Sequence, residues 1–191
     1  MGPAPVLRRW LAAGLLLASS WQPALATDAT IWTELAKQEE LSAKFTQVQH
    51  RAVLKVPLTS TGTVRFSRPQ SLEWIVESPS RSSFTLKDAV ATMSYPELNM
   101  TETIDLASVP DASRLATSML VWMQADAGAV TRDFTVTYQA DGASLAPKDP
   151  QLQKLLTRID LTVAPSPWRV TAVVLTEPSG DHVDITFTDV R

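Results

Sequence analysis

Gly62-Thr63-Val64-Arg65-Phe66-Ser67-Arg68-Pro69-Gln70-Ser71-Leu72-Glu73-Trp74-Ile75-Val76-Glu77 is the stretch on which the fold turns. Val64 and Phe66 alternate with Thr63, Arg65 and Ser67. Leu72, Trp74 and Val76 alternate with Glu73, Ile75 and Glu77. Two period-two runs broken by Arg68-Pro69 predict two antiparallel strands that share one apolar face. The same period starts at Phe45 and continues through Phe84 and Leu86, a turn at Lys87-Asp88, then Val90 and Met93. Pro57, Pro69 and Pro79 punctuate these runs at strand spacing, which predicts an antiparallel meander.

Helical spacing flanks the meander. Asp28 to about Lys44 reads as a helix capped by Asp28, with Ile31, Trp32, Leu35 and Ala36 on one face. Pro110-Asp111 opens a second helix running to about Gln124, with Gly128 beyond its end. Leu115, Met119 and Trp122 form one apolar row on it; Ala116, Leu120 and Met123 form another. So wide a stripe suits plain core packing first; the sharper reading is a helix that covers a greasy cavity. Strands then resume. Phe134, Val136 and Tyr138 alternate, Asp141-Gly142 signals a hairpin and Leu145 begins its return. Pro150 to about Leu156 reads as a helical turn or a loop. Ile159, Leu161 and Val163 alternate, followed by Trp168, Val170, Ala172 and Val174. Ser179-Gly180-Asp181 turns the chain, and Val183, Ile185 and Phe187 finish it. About ten strands in one domain predict a mainly β fold with helices, its sheet curved or barrel-like.

Arg8 and Arg9 precede an apolar run from Trp10 to Ala18, and Ala24-Leu25-Ala26 closes the segment. These are the three parts of a secretory signal peptide, so cleavage is expected after Ala26, leaving a single domain over 27–191. The apolar run is about half of the roughly 20 residues a spanning helix needs, which disfavours an uncleaved anchor. The chain has no cysteine. It therefore lacks the residue that lipid attachment to a new N-terminus requires, and it makes no disulfide. Removing Arg8 and Arg9 from the 17 basic residues leaves 15 against 20 acidic ones, a net charge of −5. That balance argues against nucleic acid as a partner. A soluble protein is expected.

Enzyme chemistry finds little support. There is no Gly-x-Ser-x-Gly elbow and no His-Glu-x-x-His helix. The six glycines form no phosphate-binding loop. Of the two histidines, His50 and His182, the second reads as part of a solvated turn beside Asp181 and Asp184. No cysteine and histidine cluster stands together in the chain, so no zinc ligand set is expected. Glu39-Glu40 reads as a solvated helix face. Asn99-Met100-Thr101 matches a glycosylation triplet common by chance. Arg68 stands out, because at a strand end its rigid fork of donors can bond exposed carbonyls.

Phe45-Thr46-Gln47, then Gly62-x-x-x-Phe66-x-Arg68-Pro69, then Leu72-x-Trp74 follow an order that resembles the LolA family of periplasmic lipoprotein carriers. Leu145-x-Pro147-Lys148 and the Gly180-Asp181 hairpin resemble the family's second half, so the likeness covers nearly the whole mature chain. The resemblance implies an incomplete antiparallel barrel of about 10–11 strands, with a helical lid over a hydrophobic cavity. It implies that Arg68 bonds the lid backbone and holds the cavity closed until cargo enters. The implied cavity lining is Val64, Phe66, Leu72, Trp74, Phe84, Leu86, Leu115, Met119, Trp122 and Met123. The implied partners are an acylated lipoprotein or lipid cargo, an inner-membrane release complex and an outer-membrane acceptor. No cofactor is needed, and a monomer suits a shuttle. Lys87-Asp88 stands where the family commonly has Asp-Gly, and the chain stops at Arg191 without a proline-rich extension. Leu54-x-x-Pro57-Leu58 resembles a divergent subgroup associated with export of other lipids or of aryl-polyene-type glycolipids. An envelope sensor that recognises lipoprotein through the same half-barrel is the reading from another class.

Overall fold

The computed structural model describes residues 29–191; the expected signal peptide and the capping Asp28 lie outside the described residues. A short helix α1 (Ala29–Leu35) leads into six strands: β1 (Glu40–His50), β2 (Leu58–Ser67), β3 (Ser71–Ser78), β4 (Ser82–Lys87), β5 (Val90–Tyr95) and β6 (Met100–Asp105). Helices α2 (Pro110–Met123) and α3 (Ala127–Asp133) follow. Five strands complete the chain: β7 (Phe134–Gln139), β8 (Gly142–Pro147), β9 (Arg158–Pro165), β10 (Trp168–Thr176) and β11 (His182–Thr188). All eleven form one sheet in the order β6-β5-β4-β3-β2-β1-β11-β10-β9-β8-β7. Every pairing is antiparallel. The sheet ends on β6 and β7 without closing, and α2 and α3 join these two edges in the chain. The expected incomplete barrel is thus the observed fold.

Each half of the sheet is a meander, and β1 against β11 is the seam between the halves. Inward residues of both halves build one core. Phe45, Val64, Phe66, Leu72 and Leu86 are buried from the first half, and Phe134, Leu145, Ile159, Leu161 and Val173 from the second. The helix α1 adds Ile31 and Trp32, both fully buried, and the Trp32 indole donates to the Tyr138 hydroxyl at 3.0 Å. Burying a side chain of this size stabilises the fold by about 1.5–3 kcal/mol.

Several expectations are corrected. The first helix ends at Leu35 instead of running to about Lys44, and β1 starts at Glu40. The period of two already begins at Leu41, Ala43 and Phe45, so a longer helix would turn this apolar face out of the core. Gly128 lies beyond the end of α2, as expected, but in a further helix that was not expected. It belongs to α3, where the Asp126 side chain caps the helix by accepting from the Gly128 and Ala129 amides at 2.9 and 3.1 Å. The β4–β5 turn is Asp88-Ala89, one residue later than expected, with φ of 50° and 63°. Val90 therefore points out, and Ala91 and Met93 face the interior. The return strand of the β7–β8 hairpin begins at Gly142 instead of Leu145. A bulge between Val170 and Ala172 shifts the register of β10. Beyond it the buried residue is Val173, not the expected Val174.

Two glycines are needed for close approach, not for turning. A Cβ on Gly62 would lie 1.8 Å from the Ile75 carbonyl oxygen and 3.0 Å from Phe45. A Cβ on Gly142 would lie 1.8 Å from the Leu161 carbonyl oxygen. Both sit where a neighbouring strand presses its backbone inward.

Candidate functional site

Arg68 follows β2 directly, and its backbone amide donates to the Glu39 carbonyl at 3.1 Å. That bond fixes the arginine beneath the end of α1. Its Nε donates to the Gln38 carbonyl at 2.7 Å, and Nη2 to the Leu35 carbonyl at 3.4 Å. Its Nη1 donates to the Gln124 carbonyl at the C-terminus of α2. Gln124 answers through Nε2, which donates to the Pro69 carbonyl at 2.7 Å. One guanidinium thus joins the chain leaving α1 to the end of α2. Helix C-termini present carbonyls without intrahelical partners and the negative end of the dipole, so a fixed cation there is favourable.

Beside this arginine is a small pocket of about 40 Å³, bounded by Val64, Phe66, Trp122, Met123 and Phe187. A larger, open cleft of about 410 Å³ lies further along the inner face. Leu72, Trp74 and Phe84 form one wall of it, Leu175, Val183 and Ile185 the other, and Ala116 and Met119 of α2 contribute to its lining. Phe45 stacks on Trp74 at 4.1 Å between ring centres, and Trp74 meets Phe187 edge to face at 6.3 Å. Trp74 belongs to the cleft and Phe187 to the pocket, so this aromatic row is the partition between them. The Trp122 indole nitrogen is buried and has no hydrogen-bond partner among the described residues.

The expected lining is therefore split. Leu72, Trp74, Phe84 and Met119 line the cleft, while Val64, Phe66, Trp122 and Met123 line the pocket at Arg68. Leu86 is buried and borders a separate groove with Leu106 and Val121. The side chain of Leu115 lies outside the described residues. Sequence reasoning missed Ala91, Met93, Ile104 and Leu106 of the first half, and the wall given by Leu175, Val183 and Ile185. Alternation in β11 signalled the last two as inward residues but not that they face the same space as Trp74.

The cleft reaches the end of the sheet opposite to Arg68. Antiparallel connection places residues 51–57, 79–81, 96–99 and 177–181 at that one end. Gln49 and Val183 near their strand ends and Arg51 just past β1 line the cleft there. Val53, Val56, Leu58 and Leu98 are exposed at the same end, with Val53 89% accessible. Arg51 is tied to Glu177 at 2.5 Å, which fastens the β1–β2 loop to the β10–β11 turn. The linings of both cavities are mostly apolar. Among the described residues no helix is long and apolar enough to cross a membrane.

These features define a class: an open antiparallel half-barrel, helices fastened across it by an arginine, and an apolar cleft within. The chain belongs to the family of the outer membrane lipoprotein carrier protein LolA, whose sequence profile matches residues 36–191. The family is one of lipoprotein carriers. Similar solved structures include a LolA superfamily protein from Nitrosomonas europaea, at 8% identity and a TM-score of 0.45, over 85% of this chain and 91% of that one. A DUF1329 family protein from Desulfovibrio piger aligns at 9% identity and a TM-score of 0.47, over 85% and 89%. The MucA/MucB complex of Pseudomonas aeruginosa aligns at 11% identity and 0.48, over 85% of this chain and 56% of that one. No curated protein sequence matches the chain. Family membership rests on the profile match.

Proposed function

We propose that residues 27–191 form a periplasmic carrier, freed from its signal peptide after Ala26, that shuttles an acylated lipoprotein or lipid from the inner to the outer membrane. The observation that carries this reading is the apolar cleft of about 410 Å³ beneath helices tied down by Arg68. In the closed form Arg68 holds the ends of α1 and α2. Cargo acyl chains enter at the exposed apolar end of the sheet and push past the row of Phe45, Trp74 and Phe187. Loss of the Arg68 bonds lets Trp122 and Met123 swing away, so that pocket and cleft become one cavity. Each buried CH2 of the cargo contributes about 0.8 kcal/mol, which offsets the bonds given up at Arg68. An ester carbonyl of the cargo supplies the acceptor that the buried Trp122 indole lacks. Release at the outer membrane restores the closed form.

Such a protein is no enzyme and uses no cofactor. It works as a monomer, taking cargo from an inner-membrane release complex and passing it to an outer-membrane acceptor. The Leu54-x-x-Pro57-Leu58 segment extends the cargo class to other exported lipids, including glycolipids of the aryl-polyene type. A photo-crosslinking residue in place of Met119 tests the site in living cells. It is expected to capture an acylated adduct, whereas the same residue in place of the outward-facing Val48 captures none. Equal capture at both positions, or at neither, would overturn the reading.

A further inference from the structure

The outer face of the seam carries a cluster unrelated to the cleft. His50 ends β1, His182 opens β11, and the register pairs them directly. Gln49 and Val183 line the cleft, so alternation sends His50, His182 and Asp184 to the opposite face. The two imidazoles lie nearly parallel, 4.3 Å between centres and 11° apart. His50 Nε2 is 3.2 Å from an Asp184 carboxylate oxygen. One ligand atom from each of the three side chains lies within 4.8 Å of the others. Asp181 is not part of the set, because it accepts from the Ala52 amide and faces Arg51.

We propose that His50, His182 and Asp184 bind a divalent transition cation of the zinc type. Zinc takes imidazole nitrogen and carboxylate oxygen at about 2.0–2.2 Å in a tetrahedron, whose edge is then about 3.3 Å. The His50–Asp184 separation already has that length, so an ion can replace the direct contact with little movement. The third ligand is oriented from behind. His182 Nδ1 lies 3.3 Å from the Gly180 carbonyl oxygen. An Nδ1–H donated there fixes the tautomer and leaves Nε2 with its lone pair for the metal, the usual support of a metal-binding histidine. Two nitrogens and one carboxylate suit zinc, nickel or copper, whereas magnesium and calcium take oxygen ligands. Three protein ligands leave a fourth position to water.

The ion would clasp β1 to β11, where the two halves of the sheet meet. The sequence hides this set because its members come together only through that long-range pairing. The test is calorimetric titration of the tag-free protein with zinc chloride, alongside cobalt(II) absorption spectra. Saturable one-to-one binding is expected, with a tetrahedral cobalt spectrum and no competition from magnesium. His50→Ala and Asp184→Asn should each weaken zinc binding about tenfold or more, with melting temperatures in EDTA that match the wild type. Zinc should raise the melting temperature of the wild type and not that of a His50→Ala/His182→Ala double variant. No saturable binding, or binding unchanged in the double variant, would overturn the site. Neither result depends on cargo, so failure here leaves the carrier reading untouched.

Discussion

Replacing Arg68 by leucine removes the fastening between the ends of α1 and α2 while keeping an apolar stem against Phe66 and Trp122. The carbonyls of Gln38, just past α1, and of Gln124, at the end of α2, lose their Arg68 donor, while that of Leu35 still accepts from the Gln38 amide. A hydrogen bond from a charged donor contributes about 1.5–3 kcal/mol when shielded. The 3.4 Å bond to Leu35 adds little. The guanidinium is half-buried and water can reach the freed carbonyls, so the remaining two bonds are worth about 2 kcal/mol together. A change of 1.4 kcal/mol is tenfold in an equilibrium, so the closed form loses roughly 30-fold against the open, cargo-bound form. A fluorescent acyl probe should accordingly bind Arg68→Leu about 30-fold more tightly, and handover to an acceptor should slow, because closure no longer drives release. Arg68→Lys, which keeps the charge but not the fork, should fall between the two. Wild-type probe affinity and handover in a folded Arg68→Leu protein would refute the latch.

Three further outcomes test the fold beneath the site. Gly62→Ala should destabilise the protein by about 3 kcal/mol in urea denaturation, at the upper end for overpacking, because its methyl group meets the Ile75 carbonyl at 1.8 Å and backbone must move. Ala89→Gly should stabilise it by about 0.5–1 kcal/mol, since relief of a left-handed alanine outweighs the extra entropy of an unfolded glycine. Asp189 is held below the ordinary carboxylate value by its hydrogen bond and charge attraction to Lys44, 2.8 Å away. Its lowered folded value gives stability that is present above the unfolded value and lost as pH falls through the folded one. Asp189→Asn should therefore change the melting temperature slightly at neutral pH, and the difference from wild type should vanish in acid, below the carboxylate range.

What the sequence makes legible is set by local physics. Val64, Phe66, Leu72 and Trp74 alternate cleanly because one face is core and the other water, so β2 and β3 stood out. Helix α2 stood out through its wide stripe and the proline at its first turn. The strand β6 did not, because it is an edge strand whose residues are mostly exposed, with only Ile104 half-buried. Helix α3 is seven residues long and opens on Ala127-Gly128, a dipeptide that reads as a helix end until the Asp126 cap is seen. The bulge in β10 leaves no mark that composition would show. For the site, alternation identified which face each residue takes but not which cavity. Val64 and Leu72 both point inward, yet Val64 meets the pocket at Arg68 and Leu72 the open cleft. The partition between them, Phe45 with Trp74 and Phe187, joins β1, β3 and β11 and exists only once the seam has closed.

The proposed carrier function stands or falls with an acylated cargo in the cleft. Native mass spectrometry of protein purified gently from the periplasm tests it most directly. A population heavier than the protein alone by the mass of an acylated lipoprotein or lipid is expected, reduced to the bare chain by organic extraction. A single species at the bare mass, from a protein that also fails to bind acyl probes, would contradict it.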